Sequence, residues 1–250
     1  MKYFNLLPEN DCEFFVQKLF NLQDYWIGRT KETTKGGLFT IGMASYLDGS
    51  EFDNDSEDLK KYNKVLRDNF SPLYKIVEEF LSKEYRCDVR LTDKNAPLPG
   101  FHIYLPNDAF LLKNYYPQAH ADIQYKYIFK DKGIAPEEII SCTLSLIVPP
   151  TGSGLEIWEN LFDLSPSEVD HIDFGKQDMF DAYNPHTNFQ RNLSRTLSTS
   201  PDFVEYSNGG LIVHDGLQFH RPIIKTSVGS PRITMQIHGV RFGNEIELFW

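Results

Sequence analysis

From Gly100 onward the chain is a succession of short β-prone runs, and no other feature restricts its fold as strongly. Phe101–Leu105, Ala119–Phe129, Ser141–Val148, Leu155–Glu159, Phe203–Tyr206, Gly210–His214 and Arg232–Phe242 each read as a strand, rich in β-branched, aromatic and aliphatic residues. Breaks come from Pro99-Gly100, Thr151-Gly152-Ser153-Gly154, Asn208-Gly209-Gly210 and Asp215-Gly216. Many short strands joined by glycine turns bury their apolar faces as a sandwich or a barrel. The preceding residues read differently. A helix starting near Pro8 or Asn10 puts Phe14, Phe15, Leu19 and Phe20 on one face, and Leu38–Leu47 is β-prone. The acidic stretch Glu51 to Asp58 reads as a solvated loop running into a helix cap. Leu73, Ile76, Val77, Phe80 and Leu81 then mark an amphipathic helix from about Ser71 to Lys83. The predicted class is α+β, mainly β, in one domain over 1–250. Residues 1–98 give mainly helical support, 99–250 form the β-core, and the polar stretch 160–201 is a lid-like insertion.

Histidine carries the chemistry. The chain has seven: His102, His120, His171, His186, His214, His220 and His238. His120-Ala121-Asp122 opens a predicted strand, where side chains at i and i+2 share a face, so imidazole and carboxylate project together. A further histidine from a later strand would complete two imidazoles and one carboxylate on one face of an octahedron, the arrangement of oxygen-activating non-haem Fe(II) sites. By itself H-x-D is a weak signal, because His171-Ile172-Asp173 repeats it within the polar insertion. That second copy reads as a surface feature, since a ligand pair needs a rigid element to hold its geometry. His214, at the end of an apolar strand, and His220, beyond the Asp215-Gly216 turn, are both candidates for the third ligand. An iron enzyme with a dicarboxylate co-substrate also needs a cation for the remote carboxylate, and a guanidinium binds it bidentately. Arg232 and Thr234 alternate on one strand face and offer such a grip.

Taken in order, these residues resemble the signature of the Fe(II)- and 2-oxoglutarate-dependent dioxygenases: His120-Ala-Asp122, the distal His220, then Arg232-Ile-Thr234. Ser153-Gly-Leu-Glu-Ile-Trp158 and Gly210-Leu-Ile-Val-His-Asp-Gly216 agree with the strands leading to and from that family's turns, so the resemblance spans roughly Pro99 to Phe242. It implies a double-stranded β-helix, a cupin-like jelly roll, with Fe(II) on His120, Asp122 and His220. It further implies 2-oxoglutarate held by Arg232 and Thr234, O2 as oxidant, and succinate as product. Because Asp122 is a carboxylate and not Gly or Ala, no position is freed for halide, and the resemblance implies hydroxylation over halogenation. Strand parity adds Gln124, beside Asp122, and His102 with Tyr104 after Pro99-Gly100 as residues facing the same cavity. Gln124 and Tyr104 are thereby candidates for touching co-substrate or substrate. Gln236 and His238 continue the Arg232 face, while His186, Arg191 and Arg195 fall in the lid-like stretch. For Trp158, core packing is the simpler role.

The leading expectation is an oxygenase of a small molecule such as an amino acid or a natural-product intermediate. A protein side-chain hydroxylase of the same chemistry and a non-catalytic, cupin-like metal- or ligand-binding protein are the alternatives. Composition narrows the partners. Asp plus Glu number 35 against 25 Lys plus Arg, a formal charge of −10 that repels nucleic acid and anionic lipid. Cys12, Cys87 and Cys142 form no C-x-x-C and read as reduced, buried thiols. With no apolar leader at Met1–Phe15 and no run near the ~20 apolar residues of a membrane span, the expected location is cytoplasmic.

Overall fold

The computed structural model describes residues 1–29, 37–48, 56–92, 96–106, 119–129, 136–150, 152–159, 195–225 and 230–250. The strands are β1 Lys2–Asn5, β2 Ile27–Gly28, β3 Gly37–Ile41, β4 Asp88–Leu91, β5 Gly100–Leu105, β6 Glu138–Ile147, β7 Gly154–Ile157, β8 Asp202–Glu205, β9 Gly210–Asp215, β10 His220–Ile223, β11 Arg232–Phe242 and β12 Glu245–Phe249. The helices are α1 Glu9–Asn21, α2 Ser45–Asp48, α3 Glu57–Tyr85 and α4 Tyr125–Ile128. Nine strands form one sheet in the order β1-β9-β6-β11-β5-β3-β2, with β12 branching from β11 and β4 pairing with β12. Three form a second sheet, β10-β7-β8. All pairings are antiparallel except β12 with β4. The two sheets face each other as a jelly roll, with Leu155 and Ile157 of β7 packed against Ile212 of β9.

Alternation along the central strands decides what lies on each side. On β11, Ile233, Met235 and Ile237 point to the helices, as do Cys142, Leu144 and Leu146 of β6, Leu211 and Val213 of β9, and Phe101 and Ile103 of β5. They meet Cys12, Phe15, Val16 and Leu19 of α1 and Leu66, Phe70, Leu73, Tyr74, Val77 and Leu81 of α3. The other face of the same strands carries His102 and Tyr104, Ser141, Thr143 and Ser145, His214, and Arg232, Thr234, Gln236 and His238. This face is largely polar and turned toward the small sheet, so buried polar side chains share the interior of the jelly roll with the apolar cluster of Leu155, Ile157 and Ile212.

Several expectations change. The helix predicted from Ser71 begins at Glu57, capped by the Ser56 hydroxyl accepting the Leu59 N–H at 3.2 Å, and runs through Pro72. Leu59, Leu66 and Phe70 extend the buried stripe before the proline, and that packing outweighs the local break. On α1 the buried face is Cys12, Phe15, Val16 and Leu19, so Phe14 is 54% exposed. In the first third, β3 covers the start of the strand expected over Leu38–Leu47, whose end is the short α2, and β1 and β2 are strands that the sequence does not predict. The run Ala119–Phe129 is not a strand: His120 forms one isolated bridge, Gln124 is helical in conformation, and α4 follows. The lid-like stretch, with His171, Asp173, His186 and Arg191, lies outside the described residues over 160–194, and Arg195 is exposed. The three cysteines are free and buried. Among the described residues no helix is long and apolar enough to cross a membrane.

Candidate metal centre

His120 and His220 lie 100 positions apart in sequence and are joined by a single antiparallel bridge. Each N–H donates to the other residue's carbonyl at 2.9 Å. Directly opposed residues of an antiparallel pair project to the same face, and the imidazole centroids stand 4.4 Å apart. Asp122 arrives by a different device. Its backbone N–H donates to Gly216 O at 2.7 Å, which ties the loop after His120 to the turn before His220. The carboxylate then lies with Oδ2 3.4 Å from His220 Nε2 and Oδ1 3.9 Å from His120 Nε2. One ligand atom from each of the three residues falls within 4.8 Å of the others, so the set could hold a metal ion. Pairing in the strand register thus replaces the i, i+2 alternation expected for His120 and Asp122.

The proton positions suit ligation. His220 Nδ1 lies 2.9 Å from Gln218 O, and a carbonyl only accepts, so the proton sits on Nδ1 and the Nε2 lone pair faces the centre. Burial holds the His220 pKa well below the ordinary imidazole value, although Asp122 pulls it upward. Burial pushes the Asp122 carboxyl up, but His238, His220, His120 and His214 together overcome it and hold the group well below the usual carboxylate range. Neutral imidazole and ionised carboxylate are the forms that bind a divalent cation. His214, the rival for the third position, is not in the group whose ligand atoms converge. Its Nδ1–H donates to Asp215 O at 2.9 Å, and its ring packs on His220 at 4.4 Å between centroids.

The anion end lies along β11. Arg232 is 1% exposed, and its guanidinium is flanked by the Tyr104 and Tyr206 rings, each 5.1 Å from centroid to carbon. Its Nε and Nη2 have no hydrogen-bond partner, and among the described residues no carboxylate pairs with it. A buried cation left in this state favours an anionic ligand. The Tyr206 hydroxyl lies near Arg232 and Thr143 but closes a hydrogen bond of normal geometry with neither. Thr234 is fully buried one same-face position along, accepting from Gln236 Nε2 at 3.4 Å, and Thr143 donates to Gln236 Oε1 at 3.1 Å. Gln124 Nε2 donates to Asp122 Oδ1 at 3.3 Å. His102 Nε2 and the Tyr46 hydroxyl are hydrogen-bonded at 2.7 Å, and burial lowers the His102 pKa to about 3. Trp158 is core, its Nε1–H donating to Thr199 O at 3.1 Å.

The structure therefore brings together His120, Asp122, His220 and Gln124, and likewise Arg232, Thr234 and Tyr104. Sequence reasoning missed Ser141, Thr143, Tyr206 and Tyr46. The first two were findable, because Ser141, Thr143 and Ser145 alternate with Cys142, Leu144 and Leu146 on β6. Tyr46 and Tyr206 carry no such signal.

No protein-family model and no curated protein matches the chain. Solved structures do. An N-substituted L-amino acid dioxygenase from Burkholderia ambifaria, in complex with alpha-KG, is 11% identical, with 99% of this chain and 85% of that one covered and a TM-score of 0.49. The non-heme alpha-ketoglutarate-dependent epimerase SnoN of nogalamycin biosynthesis is 10% identical over 96% of this chain and 81% of that one, with a TM-score of 0.45. A Pseudomonas putida prolyl-4-hydroxylase is 13% identical over 96% and 91%, with a TM-score of 0.41. With all three TM-scores below 0.5, the functional reading rests on the side chains of this interior.

Proposed function

We propose that the protein is an Fe(II)- and 2-oxoglutarate-dependent oxygenase that oxidises a C–H bond of a small molecule, hydroxylation being the expected outcome. One observation supports the reading above the rest. The three potential ligands His120, Asp122 and His220 and the buried Arg232, with which no carboxylate pairs among the described residues, line one interior between the two sheets. A metal site alone would not require a buried guanidinium, and a buried guanidinium alone would not require a triad of ligands.

In this reading His120 Nε2, Asp122 and His220 Nε2 would hold the metal, a donor set of two imidazoles and one carboxylate that suits Fe(II). Arg232 binds the remote carboxylate of 2-oxoglutarate, with Thr234 beside it as a hydroxyl partner. Bound Fe(II) and 2-oxoglutarate supply the activation of O2, with succinate and carbon dioxide as co-products. The chain's own contribution is placement. Tyr104 and Tyr206 confine the guanidinium between their rings, the Gln218 carbonyl fixes the His220 tautomer, and the bonds of the bridge hold the two imidazoles on one side. Gln124, hydrogen-bonded to Asp122, stands where a substrate or co-substrate polar group would approach. The substrate class we propose is an amino acid or a natural-product intermediate, since the net charge of −10 repels polyanionic partners.

The test is spectroscopic. Anaerobic addition of Fe(II) and 2-oxoglutarate should give a weak visible charge-transfer band in the wild-type chain and none in His120→Ala. A wild-type chain without the band, or one that keeps it after His120→Ala, overturns the proposal. Substrate-stimulated succinate release across an amino-acid and metabolite panel then identifies the substrate class.

A further inference from the structure

Beneath the three candidate ligands lies a row of buried polar residues that none of the chemistry above uses. Strand register sets it. Ser141 on β6 pairs with His238 on β11 to one side and with His214 on β9 to the other. All three side chains point into the interior and are buried. His214 backs the His220 ring, as described above. Ser141 and His238 converge on Asp122. The Ser141 hydroxyl donates to Asp122 Oδ2, His238 Nδ1 lies 3.3 Å from Ser141 Oγ, and the same nitrogen is 3.6 Å from Asp122 Oδ2.

The direction of these bonds follows from the proton inventory. An ionised carboxylate only accepts, so Ser141 gives its one hydroxyl proton to Oδ2. Its remaining lone pairs can then only accept, so His238 carries its proton on Nδ1 and donates it to Ser141. The relay therefore runs from His238 through Ser141 to Asp122 and ends on one oxygen of the carboxylate.

We infer that Ser141, held by His238, is a positioning residue that fixes the orientation of the Asp122 carboxylate. It holds Oδ2, while Gln124 Nε2 makes a longer contact of 3.3 Å to Oδ1. This rests on the metal reading of the preceding subsection and goes beyond it, because neither residue belongs to the ligand set. Two further features agree. Asp122 is buried, so a carboxylate oxygen without this partner would lack a hydrogen bond in a site of low dielectric. The turn that holds the Asp122 backbone also runs close to Ser141: a Cβ at Gly216 would lie 3.2 Å from Ser141 Oγ and 2.6 Å from Ile139 Cγ2, so only glycine fits there.

Co(II) binding tests the assignment without turnover, by calorimetry and by the ligand's visible absorption bands on the full chain. Ser141→Ala should weaken Co(II) binding about ten- to a hundredfold and shift the bands, the range typical when the partner of a metal ligand is removed. Ser141→Thr keeps the hydroxyl and should bind within about threefold of wild type. Ser141→Val has the same shape without the hydroxyl and should behave like Ser141→Ala, which carries the test if the alanine variant does not fold. Because His238 acts through Ser141, the double variant Ser141→Ala/His238→Ala should bind no more weakly than Ser141→Ala alone. Equal Co(II) affinity and unchanged bands in the Thr and Val variants would overturn the role of Ser141, as would full multiplication of the two single losses in the double variant. Asp122→Ala separates the two failures. If it abolishes Co(II) binding while the Val variant does not weaken it, only this inference falls. A wild-type chain that does not bind Co(II), or binds it equally after Asp122→Ala, overturns the metal reading together with it.

Discussion

Replacing Arg232 with methionine should make the ligand-free protein more stable while removing its response to 2-oxoglutarate. The side chain is 1% exposed, and its Nε and Nη2 have no hydrogen-bond partner among the described residues. Each unmade bond to a buried donor costs roughly 1–3 kcal/mol. Against this, the two flanking tyrosine rings contribute about 0.5–2 kcal/mol each as cation–π contacts. Taking the middle of both ranges, methionine of similar length relieves more than it loses, and a net gain of about 1–2 kcal/mol is expected. For a chain of 250 residues that corresponds to a rise of about 2–4 °C in Tm per kcal/mol. The ligand response moves the other way. At a hundredfold excess over Kd, 2-oxoglutarate should stabilise the wild type by about 2.7 kcal/mol. Losing a charge-assisted pair with the remote carboxylate should raise that Kd roughly 10- to 100-fold, so the same concentration stabilises the variant by only about 0.4–1.4 kcal/mol. Thermal unfolding with Mn(II), with and without 2-oxoglutarate, measures both effects without turnover. An Arg232→Met protein that is less stable than wild type without ligand, or that gains as much from 2-oxoglutarate, would refute the assignment of a buried guanidinium waiting for an anion.

Other perturbations test other parts of the structure. His102 has its pKa lowered to about 3 by burial, then by Arg232, Arg29 and His238, so it stays neutral where the unfolded chain would protonate. Its stabilisation is complete above the unfolded value near 6.5 and is lost as pH falls toward about 3, with a slope approaching 1.4 kcal/mol per pH unit inside that window. His102→Gln should flatten the acid limb of a denaturation series by about one proton's worth of slope, and an unchanged limb would contradict the burial argument. Gly209 has φ +76°, and a Cβ there would lie 2.0 Å from Leu7 O, so Gly209→Ala should cost roughly 1–3 kcal/mol in urea unfolding. Ser56→Ala removes the cap of α3 and should cost about 1 kcal/mol, with no change in Co(II) affinity.

The parts legible in the sequence share a physical origin, which is local periodicity. Arg232, Thr234, Gln236 and His238 alternate with Ile233, Met235 and Ile237, and β11 places them on opposite faces as that alternation requires. Tyr104 was placed in the interior by the same rule. The Asp-Gly turn at 215–216 was equally readable. What sequence could not supply was register between distant segments. Nothing near His120 says that its partner is His220 and not His214, because that choice is made by one bridge whose two halves are 100 residues apart. The apparent strand at Ala119–Phe129 misled for a related reason. Its β-prone composition reflects residues such as Ile123, Tyr125, Ile128 and Phe129, which pack in a satellite cluster with Leu217 and Phe249. Burial of large apolar side chains is compatible with a turn and a short helix, so composition alone did not fix the backbone there. Gln124 still reached Asp122, but as a residue in helical conformation at the head of α4 and not through strand alternation.

The division of the large sheet explains why such a site can exist in a stable protein. A jelly roll ordinarily gains much of its stability from apolar side chains between its sheets. Here the central strands present imidazoles, hydroxyls, an amide and a guanidinium to that space, which contribute little burial and carry a desolvation cost when unpaired. The compensation lies on the opposite face, where α1 and α3 cover the odd-numbered positions of β11 with aromatic and aliphatic side chains. Each central strand therefore has a stability face and a chemistry face, and the helices at the start of the chain are what allow the second to remain polar. The same logic accounts for the sites of tension already identified. The unpartnered atoms of Arg232, Tyr206, Ser145 and Gln124 all lie among interior residues, where a protein built only for stability would have placed methyl groups. Their cost is intelligible if the interior evolved to receive an ion and an anion, whose binding supplies the interactions that the folded chain leaves unmade.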